Sequence, residues 1–208
     1  TKNCPKALVS VNTSTLLYQN LDILSVAFPE ANFLVIADHN VDIIKSYFKS
    51  YPHPSQPEVI IPVGKGTASG LADIFSKYKP KSLLFIWCDL LIDHTDILAL
   101  EIESGNDILA LSKTFGCRWS FTESNKLEEV FSKQRGVAGL FYFDNINALI
   151  SKIPSSGEFV KWLSLQDEYN PKTFFLEKTL ELGELKDYED NFIQNVSRAR
   201  FFNKVTIG

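Results

Sequence analysis

Apolar residues along the chain gather in short continuous runs separated by stretches with helical spacing. Residues 32–37 (NFLVIA) form one run, closed by Asp38, and residues 82–88 (SLLFIWC) form another, closed by Asp89. Unbroken runs of this length mark strands covered on both faces, as in a parallel sheet. Between them, Ile43, Ile44, Tyr47 and Phe48 fall at helical spacing within 41–50. Pro52, Pro54 and Pro57 mark a loop, and 58–62 (EVIIP) reads as a short strand. A helix is expected from the glycines at 64, 66 and 70 to about Tyr78, stopped by Pro80. Further helices are expected at 95–103, 145–152, 157–166, 171–182 and 191–200, with Gly183 as a C-terminal stop. Strands are expected at 107–111, 117–121, 126–132, 137–143, 185–188 and 202–207. Alternating elements in the first half predict a single α/β domain over 1–208. Its sheet is doubly wound and mostly parallel, with antiparallel additions from the strand-rich middle.

Composition narrows the classes of function. Apolar residues make up 45% of the 208 residues and 16 are Phe, enough for a substantial core. The net charge of -4 disfavours a nucleic-acid partner, which calls for a basic face. Cys4, Cys88 and Cys117 are widely spaced and form no zinc pattern, as expected for reduced thiols in a cytoplasmic protein. No apolar run reaches the roughly 18 residues of a membrane span, and residues 1–6 lack a leader pattern. No membrane partner is therefore expected.

In open α/β sheets ligands bind beyond the carboxyl ends of the strands, which draws attention to Asp38, Asp89 and residues 64–67. Asp89 suits a Mg²⁺ ligand, because that ion takes carboxylates and phosphate oxygens. A turn or capping role fits Asp89 equally well, and Asp93 has the position of a helix cap. The segment Gly64-Lys65-Gly66-Thr67-Ala68 lets backbone approach a ligand at a helix start, although its spacing is not that of a P-loop. Lys6, after Pro5, could reach a phosphate or stay a solvated surface charge. His39, His53 and His94 suggest no hydrolytic or zinc constellation. The aromatic residues Trp119, Phe121, Phe131, Phe141, Tyr142 and Phe143 read as core.

In order along the chain, these features resemble the sugar-phosphate and phosphocholine nucleotidyltransferases. The stretch Thr1-Lys2-Asn3-Cys4-Pro5-Lys6-Ala7-Leu8-Val9-Ser10-Val11 is similar to their T-x-x-x-P-K-x-L-x-x-V segment. Gly66-Thr67-Ala68 resembles their base-side turn, and Trp87-Cys88-Asp89 their strand-end G-D with Cys88 for glycine. Val130-Phe131-Ser132-Lys133 resembles V-x-E-K with Ser132 for glutamate, and residues 137–143 resemble A-G-x-Y-x-F. Toward the end the family has an aspartate followed by glycine two residues on; Asp187, or alternatively Asp190, is read in that place. The residues 198–205 resemble those of enzymes in capsule or surface-polysaccharide pathways.

The resemblance implies a three-layer α/β/α fold of the nucleotide-diphospho-sugar transferase type. It implies an NTP, with CTP or UTP favoured, and a phosphorylated small-molecule acceptor. Lys6, Asp89 and Lys133 would be catalytic, Gly66, Thr67 and Ala68 would bind the nucleotide, and Asp89 with Asp187 would hold Mg²⁺. The family's glycine-rich loop is not among the 208 residues, and self-association is left open. A glycosyltransferase of similar fold would show Asp-x-Asp, whereas Asp89 is followed by Leu90 and Leu91. A non-catalytic nucleotide-binding domain is the remaining alternative.

Overall fold

A computed structural model describes residues 4–11, 13–144 and 152–183. A 3-10 turn at Lys6–Leu8 leads into a small hairpin, β1 (Ser10–Val11) and β2 (Ser14–Thr15). Then follow α1 (Leu16–Ala27), β3 (Leu34–Ile36), α2 (Val41–Ser50), β4 (Glu58–Ile60) and α3 (Thr67–Tyr78). The middle contains β5 (Leu83–Ile86), β6 (Leu90–Leu91), α4 (His94–Leu98), β7 (Ile108–Ser112), β8 (Ser120–Phe121), β9 (Leu127–Glu128) and β10 (Gly136–Phe143). The last described elements are α5 (Phe159–Leu163), β11 (Lys172–Leu176) and β12 (Leu180–Glu181).

The α/β class is as expected, and the sheet is mixed. The fully buried strand β10 lies antiparallel between β5 on one edge and β7 on the other, while β11 runs parallel to β7. The strands β3 and β4 pair in parallel, and β12 pairs antiparallel with β6. Two helical layers enclose the strands. The helices α3 and α5 share an apolar cluster with Phe85, Phe141 and Phe143. Within it Phe159 meets Phe141 edge-on at 5.2 Å between ring centroids, a geometry that adds to plain area burial. On the other face, α1, α2 and α4 supply residues to two further clusters.

Several local expectations change. The stretch read as a helix over 171–182 is β11 followed by β12. Its Leu176 and Leu180 stand four apart as on a helix face, but the strand completes a parallel ladder with Leu109–Ser112, and that tertiary pairing wins. Gly183 therefore follows a strand rather than a helix. The helix expected at 95–103 ends at Leu98, and the one at 157–166 is Phe159–Leu163. Phe131, expected in the core, is exposed and lies against Gly116. The elements expected at 185–188, 191–200 and 202–207, and nearly all of the helix at 145–152, lie outside the described residues.

The helix α1 has no counterpart in the periodicity reading, although its signals are present. Thr15 caps it by accepting the Tyr18 N–H at 3.3 Å. Leu16, Leu17 and Leu21 recur on its buried side. Buried Asn20 ties α1 to the segment after Asp89, donating to Leu90 O at 2.6 Å and accepting from Ile92 N at 3.2 Å. Asn20→Ala leaves both backbone groups buried without this partner and is expected to cost about 2 kcal/mol in urea denaturation. His53 fastens the proline loop to the same helix, with Nδ1 2.7 Å from Ser55 Oγ and Nε2 3.1 Å from Asp22 Oδ1.

Candidate active site

Asp89 stands three residues beyond the end of β5, and between them Trp87 N–H donates to Gly139 O of β10 at 2.9 Å. The chain then turns into β6, which β12 joins with Glu181 opposite Leu90. Leu182 N–H donates to Asp89 O at 2.8 Å, so the ladder carries the end of β12 directly to Asp89. The two carboxylates converge at Gly183. A Cβ there would lie 3.0 Å from Glu181 Oε1 and 3.4 Å from Asp89 Oδ2. Any larger residue would fill the space between them.

Lys6 approaches from the N-terminal side. Its turn is anchored by Ala7, buried in the cluster that includes Leu17 and Ala37. Nζ lies 3.9 Å from Asp89 Oδ2, with the lysine side chain 44% exposed. That contact is too open to stabilise the fold appreciably, yet it places a cation beside the carboxylate. Asp38 belongs to the same neighbourhood. The exposed Cys88 lies within electrostatic reach of Asp89, Lys6 and Asp38.

Lys133 borders Gly116 and follows the bridge between Cys117 and Ser132. Its Cγ is 3.2 Å from where a Cβ on Gly116 would stand, and Ser132 bridges Cys117. Burial, then the charge of Glu181, pushes the Cys117 thiol up to about 12.

Gly66, Thr67 and Ala68 open α3 but are engaged with the protein itself. Thr67 Oγ accepts Phe159 N–H at 2.8 Å, Ala68 N–H donates to Gly157 O at 3.0 Å, and Gly157 N–H donates to Lys65 O at 2.8 Å. Gly66 has φ 88°, and any Cβ on it would collide with Gly157. Among the described residues no hydrogen bond or ion pair joins this turn to Lys6, Asp89 or Glu181.

The structure therefore brings Lys6 and Asp89 together and adds Glu181, which the sequence reading passes over, whereas Lys133 is placed only beside Gly116. Asp187 and Asp190 lie outside the described residues. The signal for Glu181 was present, because Glu181-Leu182-Gly183 is an acid followed by glycine two residues on. The carboxylate differs only in being a glutamate. Asp93 caps α4 as expected, accepting Thr95 N–H at 2.8 Å. The stronger anchor is Asp96, 5% exposed, which accepts Glu177 N–H, Lys178 N–H, Thr179 N–H and Thr179 O–H at 2.8–3.1 Å. It fixes the turn that delivers β12, and with it Glu181.

No protein-family model and no curated protein matches the chain. Solved structures do. An inositol-1-phosphate CTP transferase from T. maritima superposes with a TM-score of 0.68 at 13% identity, over 96% of this chain and 89% of that one. The CTP:phosphocholine cytidylyltransferase LicC from Streptococcus pneumoniae gives 0.68 at 15% identity, over 94% and 91%. HddC from Yersinia pseudotuberculosis gives 0.67 at 17% identity, over 90% and 88%. The chain has the fold of these nucleotidyltransferases. At such identities the likeness concerns the fold, and the chemistry must be argued from the site. Among the described residues no helix is long and apolar enough to cross a membrane.

Proposed function

We propose that this protein transfers a nucleoside monophosphate from an NTP to a phosphorylated small acceptor and releases pyrophosphate. The convergence of Asp89 and Glu181 on Gly183, with Lys6 beside Asp89, carries this reading. An oxygen of the acceptor's phosphate attacks the α-phosphorus, the bond from that phosphorus to the bridging oxygen breaks, and pyrophosphate leaves. Both reactants are anions, so the protein's main tasks are to hold them in line and offset their repulsion.

Lys6 supplies a cation for the NTP phosphates, and Lys133 is assigned to the acceptor's phosphate. Asp89 and Glu181 suit a hard divalent cation such as Mg²⁺, which takes one or two carboxylates together with phosphate oxygens. Bound there, Mg²⁺ would neutralise charge on those oxygens. Among the described residues no cluster of three or more metal-ligating side chains exists, which fits an ion shared with substrate rather than caged by protein. The Gly66–Ala68 turn is assigned to the base, with CTP or UTP favoured. The sequence resemblance supports a cytoplasmic enzyme whose product feeds surface-polysaccharide synthesis.

The deciding assay measures pyrophosphate released by the intact polypeptide with CTP, UTP, GTP or ATP, Mg²⁺ and a panel of phosphorylated acceptors. Release with one NTP that stops on chelation is the expected result. Nucleotide binding without release across the panel would replace the enzyme with a nucleotide-binding domain.

A further inference from the structure

The strand β4 pairs with β3 along one side, and among the described residues no strand pairs with its other side. Glu58 N–H donates to Phe33 O and Ala37 N–H donates to Ile60 O, both at 2.9 Å. A planar trans peptide that points one group at β3 points its other group outward. Pro57 C=O and Ile61 N–H therefore face the open side. By the alternation of the ladder, Val59 turns both its N–H and its C=O the same way. An open groove of about 470 Å³ runs along this edge, with Asp73, Ser76 and Lys77 of α3 as its other wall.

The side chains are not those of a guarded edge. Edge strands commonly turn pairing away with charges, bulges or inward-pointing lysines. Here Val59 packs with Val35 in the cluster supplied by α1 and α2, whereas Glu58 reaches Lys77 of α3 at 2.8 Å. Even and odd positions thus serve opposite faces. Pro57 and Val59 stand on the face away from α3, and Ile61 and Val63 follow at the same two-residue spacing. Ile61 is 53% exposed and Val63 93%. An apolar strip of this kind beside unpaired backbone marks an interaction surface.

We propose that two copies of this chain join through this edge as a two-fold dimer, with β4 antiparallel to its counterpart and Val59 opposite the partner's Val59. The outward backbone groups select both occupant and register. Along the chain they read acceptor, donor, acceptor, donor: Pro57 C=O, Val59 N–H, Val59 C=O, Ile61 N–H. An antiparallel copy presents the same set reversed, so every donor meets an acceptor when Val59 lies on the axis. No bond in that register calls on the N–H that Pro57 lacks.

The side chains obey the same symmetry. Ile61 comes to lie opposite the partner's Pro57, and the two Val59 side chains adjoin at the axis, which covers part of the exposed strip. On the α3 face, Glu58 and the partner's Glu58 become diagonal neighbours, and the Lys77 ammonium beside each carboxylate balances the charge. One occupant thus satisfies backbone, apolar and charged groups together, as a self-complementary contact between identical surfaces requires. The proposal concerns the sheet edge and is independent of the chemistry assigned above.

Sedimentation equilibrium and amide hydrogen exchange on the 208-residue chain test it. At about 100 μM a mass approaching twice 23.5 kDa is expected, falling to the single-chain mass on dilution, as suits a small interface. The Val59 and Ile61 amides are expected to exchange about 10-fold more slowly in the concentrated sample than in the dilute one. Ile61→Lys places a charge on the exposed strip, and Val59→Pro removes the central donor without touching the ladder to β3. Both variants are expected to be monomeric at about 100 μM, with the melting temperature of Ile61→Lys nearly unchanged. Ile61→Lys decides alone if Val59→Pro does not fold. A monomer at every concentration would overturn the proposal. So would a dimer that survives Ile61→Lys, which puts the contact elsewhere. Protection of the two amides that is independent of concentration would also overturn it, by placing another part of the same chain on this edge.

Discussion

Asp89→Asn in the intact polypeptide is expected to lower pyrophosphate release by about 100-fold or more while leaving the melting temperature nearly unchanged. The size follows from removing charge at the centre of a site that must hold several phosphate oxygens, where one stabilising group is worth about 100-fold or more in rate. The neutral fold follows from the surroundings of the side chain. Its ion pair with Lys6 is long and open at 3.9 Å, and such pairs contribute little to stability. The ladder bond to this residue uses its backbone carbonyl, which the substitution retains. Steady-state release and thermal melting measured on the same preparation check both halves. Activity within a few-fold of the parent would remove Asp89 from the chemistry.

Asp96→Ala is the second large effect, and it reverses the balance. This carboxylate is buried and accepts three backbone N–H groups and one hydroxyl from residues 177–179. Its place in the first turn of α4 also suits a negative charge. Truncation leaves four donors, three of them backbone N–H groups, without that acceptor, at about 1–3 kcal/mol for each that stays buried and unpaired. Partial relaxation reduces the sum, so a loss on the order of 3 kcal/mol is expected in chemical denaturation. Glu181 follows this turn immediately, so pyrophosphate release is also expected to fall at temperatures where the variant remains folded. A loss of stability under 1 kcal/mol would show that β12 is held in place by other contacts.

The sequence and the structure agree best where local pattern and tertiary demand coincide. The helix α2 occupies 41–50 as its spacing required, and β10 lies within one residue of its apolar run. They diverge where the chain's own period conflicts with a partner. The 171–182 stretch carries helical spacing, but an edge of β7 was open to Lys172–Leu176. A ladder of backbone hydrogen bonds outweighs the small intrinsic preference of a few residues for helix. The helix Leu16–Ala27 is marked in the sequence by Thr15 as its cap and by three leucines that the fold buries.

By itself the sequence determined the alternation of strands and helices, the acids and glycines at strand ends, and Lys6 and Asp89 as candidates for one site. Those properties are carried by neighbours in the chain, so periodicity and spacing record them. Only the tertiary structure decided which carboxylate meets Asp89. Glu181 reaches it because Asp96 pins residues 177–179 and β12 then pairs with β6. Among the described residues, only the tertiary structure, too, showed β3 and β5 each paired along a single edge. Both facts depend on hydrogen bonds between segments far apart in sequence, and no local pattern of side chains encodes which backbone edge finds which partner.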